Sequence, residues 1–181
     1  MNIDAIFKLA KETILEDGEH IPMLYVEFAE LNELVIAPII GFGAENQTTF
    51  DKQKLLFSIG RALSKEYLGL KVSCVAFVCE AWTSFVKHGD QFKYERPSED
   101  PNRKEMLLVS TLDASSPPNL KQQAYRAEML RDGSGELVDL LSKSTPLEVG
   151  HNRLLTAFLA GSLSTQLTDD EFTALLRKYG G

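Results

Sequence analysis

The run VSCVAFVCEAW, residues 72–82, restricts the architecture more than any other stretch of this chain. Taken as part of a strand over residues 71–86, it puts Val72, Cys74, Ala76, Val78, Glu80 and Trp82 on one face and Val75, Phe77, Cys79 and Ala81 on the other. Both faces are apolar as far as Val78. A strand of that kind belongs inside a sheet covered on both sides, at least in part by the C-terminal helices or a second subunit. Glu80 then projects from an apolar row. An ionised carboxylate left dry and alone costs on the order of several kcal/mol, so Glu80 needs a partner, a proton or an opening.

The flanking sequence supplies the other elements. Residues 3–16 set Ile3, Ile6, Phe7, Ala10 and Ile14 near one helical stripe, with Gly18 as the stop. IPMLYVEFAE and ELVIAPII are two extended runs joined by a short polar piece, which reads as a hairpin. Pro38 has no amide to donate and pushes the second of these strands toward the sheet edge, or ends its pairing. Residues 51–69 repeat Leu56, Ile59, Leu63 and Tyr67 at helical spacing, with Gly69 at the end. Gly60 inside that helix marks a close approach to the sheet beneath. Two further strands, 123–131 and 136–141, flank the turn Asp132-Gly133-Ser134-Gly135, with Arg131 facing Glu136, and another covers 105–112. LKQQAYRAEML also contains good helix formers; the turn followed at once by ELVDLL favours the strand. From His151 the chain turns helical, NRLLTAFLAGSL first, then a second helix opened by Thr168 and Glu171 as a capping box.

The order is helix, two strands, helix, three or four strands, then helices. Short connections imply antiparallel pairing, and helices over one face make an α+β two-layer sandwich with a sheet of five to six strands. Residues 1–150 form the core domain, and 151–181 a helical tail packed on the core or on a partner. The same order of elements occurs in the GAF, roadblock, profilin-like and JAB metalloprotease groups, a similarity that does not fix function.

Composition excludes several classes. Acidic residues number 26 against 19 basic, a net charge of −7, and no Lys/Arg cluster offers a face for nucleic acid. Asp4, Lys8, Lys11 and Glu12 interrupt the place where a signal peptide would be apolar, and no run approaches the ~20 apolar residues of a membrane span. A cytoplasmic protein without a membrane partner is expected. Cys74 and Cys79 stand roughly 17 Å apart along one strand and on opposite faces, so they neither bridge nor share a metal.

Catalytic signatures fail in turn. His20, His88 and His151 are isolated, with no H-x-H of the JAB kind. Gly41-Phe42-Gly43-Ala44-Glu45-Asn46 begins like a dinucleotide fingerprint but has Asn46 in place of the third glycine. Gly133-Ser134-Gly135 lacks the outer glycines of a nucleophile elbow. No cofactor is implied.

One patch remains. Pairing residues 71–86 with 105–112 sets Glu80 near Thr111 and Trp82 near Val109, to within a slip of two residues either way, under a long loop from His88 to Lys104. Arg96 and Arg103 from that loop, or Arg126 from the next strand, are the basic candidates to meet Glu80. The expected ligand site is therefore Glu80, Trp82, Arg96 and Arg103. The leading reading is a non-catalytic domain for protein interaction or self-association, as a homodimer or with another protein, with that patch holding a small ligand. The alternative is a Mg²⁺-dependent hydrolase using Glu80 with Glu99, Asp100 or Glu105, because hard cations favour carboxylate oxygens.

Overall fold

The structure, a computed structural model, describes residues 1–31, 33–43, 47–67, 70–84, 91, 93–94, 99–115, 120–142, 147–148, 152–163 and 170. Six strands make one antiparallel sheet in the order β2-β1-β3-β4-β5-β6. They are β1 (Met23–Phe28), β2 (Leu34–Pro38), β3 (Val72–Thr83), β4 (Lys104–Asp113), β5 (Lys121–Arg131) and β6 (Leu137–Ser142). A two-residue strand, β7 (Leu147–Glu148), pairs with β5 at Gln123 and Ala124. Three helices, α1 (Ile3–Asp17), α2 (Thr49–Glu66) and α3 (Arg153–Leu163), complete the α+β fold in the order that the sequence implied. The second tail helix and its Thr168–Glu171 cap lie outside the described residues, as does Gly69.

Each helix is bounded by its own side chains. Asn2 caps α1 by accepting from the Ala5 amide at 3.0 Å, and Gly18 ends it in the left-handed region, φ 78°, returning its N–H to the Ile14 carbonyl. Thr48 and Asp51 form a capping box on α2, the Asp51 amide donating to Thr48 Oγ1 at 3.1 Å. Asn152 Oδ1 takes the Leu154 and Leu155 amides at the head of α3.

The helices divide between the faces of the sheet. Ile6, Phe7, Ala10 and Ile14 of α1 pack on Tyr25, Ala76, Val78, Leu107, Val109, Tyr125 and Met129. On the reverse face, Leu56 of α2 and Leu155, Phe158 and Leu159 of α3 pack on Leu24, Val26, Val75, Phe77, Cys79 and Leu112. Covering of one face therefore holds for α2 and α3, while α1 takes the other. That is why β3 is apolar on both rows: it lies inside the sheet, with β1 and β4 beside it.

Three local expectations need correction. Gly60 marks a close approach, but to α3 and not to the sheet: its nearest neighbours are the Phe158 carbonyl and the Ser162 amide. Val72 leaves the row of Cys74 and joins the α2–α3 cluster, because the register shifts between Glu27 and Phe28 and makes Ser73 an extra residue. Arg131 lies opposite Leu137, not Glu136, because the turn takes in Glu136, whose carbonyl accepts from the Asp132 amide, and β6 begins only at Leu137.

Pro38 ends β2, and β2 is an edge strand, so both outcomes expected of that proline occur together.

Candidate functional site

β3 loses its cover toward its end. α1 stops at Asp17, and beyond Val78 the α1-facing row continues as Glu80, half-buried, and Trp82, 44 % exposed. From Gly18 the chain turns back over this end of the sheet to enter β1. The partner of Glu80 comes from that return: the His20 amide donates to its Oε1. Burial holds the Glu80 carboxyl above its ordinary 4.5; the His20 amide and Arg131 pull it down, while Glu105 and Glu19 push it further up. The His20 side chain is buried, and burial lowers its imidazole from the ordinary 6.5, opposed by the Ile21 main chain.

The strand register differs from the expected one by four residues. Glu80 lies opposite Leu107 and Trp82 opposite Glu105, so Thr111 and Val109 pair with Ala76 and Val78 instead. Glu105 thereby comes beside Glu80 on the same face. It is committed to Arg131 of β5, which reaches it with Nε at 2.7 Å and Nη2 at 3.0 Å. This bidentate pair is the strong form of a charged hydrogen bond. Arg131 also donates from Nη1 to the Gly135 carbonyl at 3.2 Å and approaches the Gly18 carbonyl at 3.5 Å. One guanidinium thus joins β4, the β5–β6 turn and the end of α1.

Of the expected ligand residues, the structure brings Arg103 onto Trp82, with its guanidinium carbon 4.6 Å from the ring centroid. Arg103 Nη1 also bonds the Asp100 carbonyl at 3.3 Å. Among the described residues Glu80 is bonded to the His20 amide and not to a basic side chain. Arg96 lies outside the described residues, as do His88 and His151. Arg126 pairs with Leu108 and so belongs to the opposite face from Glu80. Of the carboxylates of the hydrolase reading, Glu105 comes beside Glu80 but is held by Arg131, Asp100 Oδ1 accepts from the Asn102 amide at 2.8 Å, and no group of three or more His, Cys, Asp or Glu among the described residues could hold a metal ion.

A second feature, missed from the sequence, lies at the β2 edge. α1 sits over β4 and β6, leaving β1 and β2 partly bare on that face. Between α1 and the edge runs a cavity of about 390 Å³, lined by Ala5, Ile6, Leu9, Tyr25, Leu31, Leu34 and Ile36, with Glu27 and Glu33 at its margin. Leu34, Ile36 and Leu9 are 40 %, 51 % and 50 % exposed. The signal was present: residues 34–40, LVIAPII, carry no charge in a chain that is 25 % charged. Another cavity of about 290 Å³ lies on the same face, over the cross-strand row Glu27, Cys74, Asp113 and Lys121. Among the described residues, no helix is long and apolar enough to cross a membrane.

A family model described as bacteriophage lambda protein ea47 matches residues 1–151 of the chain. No curated protein and no solved structure matches the chain significantly.

Proposed function

Since the chain belongs to the bacteriophage lambda protein ea47 family over a span that holds α1 and the whole sheet, we propose a function seated on that sheet. The protein is a non-catalytic, cytoplasmic interaction domain that associates with a second copy of itself through the β2 edge. One observation carries this reading. Among the described residues β2 is an edge strand with Leu34 and Ile36 exposed on the side of an apolar groove, and residues 34–40 carry none of the charges that usually protect such an edge.

The experiment is sedimentation velocity on the full chain over a concentration series. Wild type should sediment as a dimer, and Ile36→Lys, which sets a charge into the edge, should sediment as a monomer with an unchanged circular dichroism spectrum. A wild type that stays monomeric throughout the series overturns the reading.

A second reading, a small-ligand site at Glu80, Trp82 and Arg103, is favoured by the exposed indole with a guanidinium over its face. Arg103 would supply charge and Trp82 a flat apolar surface. A ligand entering there changes the emission of the chain's only tryptophan. Unchanged emission across a panel of aromatic carboxylates would end this second reading.

A further inference from the structure

The backbone of β2 specifies how two copies meet, and the inference rests on the self-association proposed above. The Ile39 amide donates inward to the Pro22 carbonyl of the chain leading into β1, at 2.8 Å. In an antiparallel ladder such bonds recur at every second residue. By that alternation Val35 and Ala37 also turn their amides toward β1, and Leu34, Ile36 and Pro38 present their main chain to the outside. Pro38 has no N–H. The outer edge therefore offers two donors, at Leu34 and Ile36, and three carbonyls.

We propose that two copies pair β2 against β2, antiparallel, about a twofold axis at Ile36. Ile36 then lies opposite Ile36 of the second copy, and Leu34 opposite the second copy's Pro38. Every outward amide finds an acceptor in this register: Ile36 donates to the other Ile36 carbonyl, and Leu34 donates to the other Pro38 carbonyl. The donor that proline lacks would have served only the Leu34 carbonyl, which sits at the end of the strand within reach of water. Moving the axis to Ala37 would pair three of the five strand residues; at Ile36 all five overlap.

Side chains agree with the backbone. Directly opposed residues in an antiparallel pair share a face, so Ile36 meets Ile36 and Leu34 meets Pro38 on the α1 side. There they close the open margin of both grooves into one apolar seam, and the two sheets become continuous. Charge agrees as well. Each copy carries −7, and residues 34–40 bring no like charges together across the junction. The contact is isologous, so it closes at two copies instead of growing.

Cysteine cross-linking in the full chain tests the register. The native thiols do not compete, because Cys74 and Cys79 are both buried. In Ile36→Cys the two new thiols face each other with Cα atoms ~5.5 Å apart, within the span of a disulfide. In Leu34→Cys the two sites are four residues out of step, roughly 13 Å apart, and cannot bridge. Under mild oxidant, Ile36→Cys should lose its monomer band on non-reducing electrophoresis while Leu34→Cys keeps it. Both positions are exposed enough for cysteine to leave the fold intact, which circular dichroism confirms. A wild-type dimer whose Ile36→Cys variant fails to bridge, or whose Leu34→Cys variant bridges equally, overturns this register and leaves self-association standing. A wild-type monomer overturns both.

Discussion

Gly60 of α2 lies so close to Phe158 of α3 that a Cβ on Gly60 would stand 2.2 Å from the Phe158 carbonyl oxygen. Gly161 repeats the relation in reverse, 2.1 Å from the Phe57 carbonyl oxygen. Both obstacles are main chain, which cannot swing aside as a side chain would. Alanine is the better helix former by ~1 kcal/mol, yet overpacking of this kind typically costs ~1–3 kcal/mol. Gly60→Ala and Gly161→Ala should each lower stability by about 1–2 kcal/mol net, measured as a reduced urea midpoint. A midpoint at or above wild type would show that the helices can part without loss.

Arg131→Met should destabilise through two routes. Glu105, with 18 % of its side chain accessible, loses both of its guanidinium bonds, and the Gly135 and Gly18 carbonyls lose a donor. A cost of about 0.5–1 kcal/mol is expected for a bidentate pair that remains open to solvent. The same change removes a positive charge that lowers the Glu80 pKa, so the Glu80 carboxyl should titrate at still higher pH by NMR. A titration curve that does not move would mean that Arg131 does not act on Glu80.

The dependence of stability on pH should carry two opposed contributions from residues joined by one hydrogen bond. Glu80 holds its proton more tightly folded than unfolded, so its contribution is complete below 4.5 and is lost as pH rises through its raised value. His20 holds its proton less tightly when folded, so its contribution is complete above 6.5 and is lost as pH falls through its lowered value. Glu80→Gln keeps an acceptor for the His20 amide and removes the buried charge. Its urea midpoint should exceed that of wild type at neutral pH, with the gap closing as pH falls toward 4.5. A gap that widens on acidification would reverse the sign argued here.

The two native thiols should be inert. Burial pushes Cys74 up to about 11 and Cys79 up to about 12, which leaves almost no thiolate at neutral pH. Ellman's reagent should find neither thiol in the folded protein and both in denaturant. Rapid reaction of either one under native conditions would place it at an accessible surface.

The sequence made the sheet legible because its strongest signals are local and periodic. The double apolar row of β3, the DGSG turn and the stripe from Ile6 to Ile14 need no knowledge of distant residues. The site was less legible because its key contacts are long-range or come from main chain. Glu80 meets an amide 60 positions away, and an amide has no side-chain identity to read. The β3–β4 register depends on where a long connection places Lys104 against Thr83, and alternation alone permits any slip of two. Gly60 announced a close neighbour without saying which. The β2 edge was written plainly as an uncharged run, yet its meaning required knowing that among the described residues β2 is the last strand of the sheet.

The sheet order also sets a schedule for folding. β3, β4 and β5 are each paired with the next strand in the chain, so that meander can zip from sequential hairpins. β1 can form its hairpin with β2 early, but its joining to the meander must wait: β3 lies beyond β2 and all of α2, and that long connection has to close before a β1–β3 rung forms. Amides joining β4 and β5 should therefore gain protection in pulsed hydrogen exchange before those joining β1 to β3. On the ribosome, the first hairpin made is among the last pieces to be joined to the sheet.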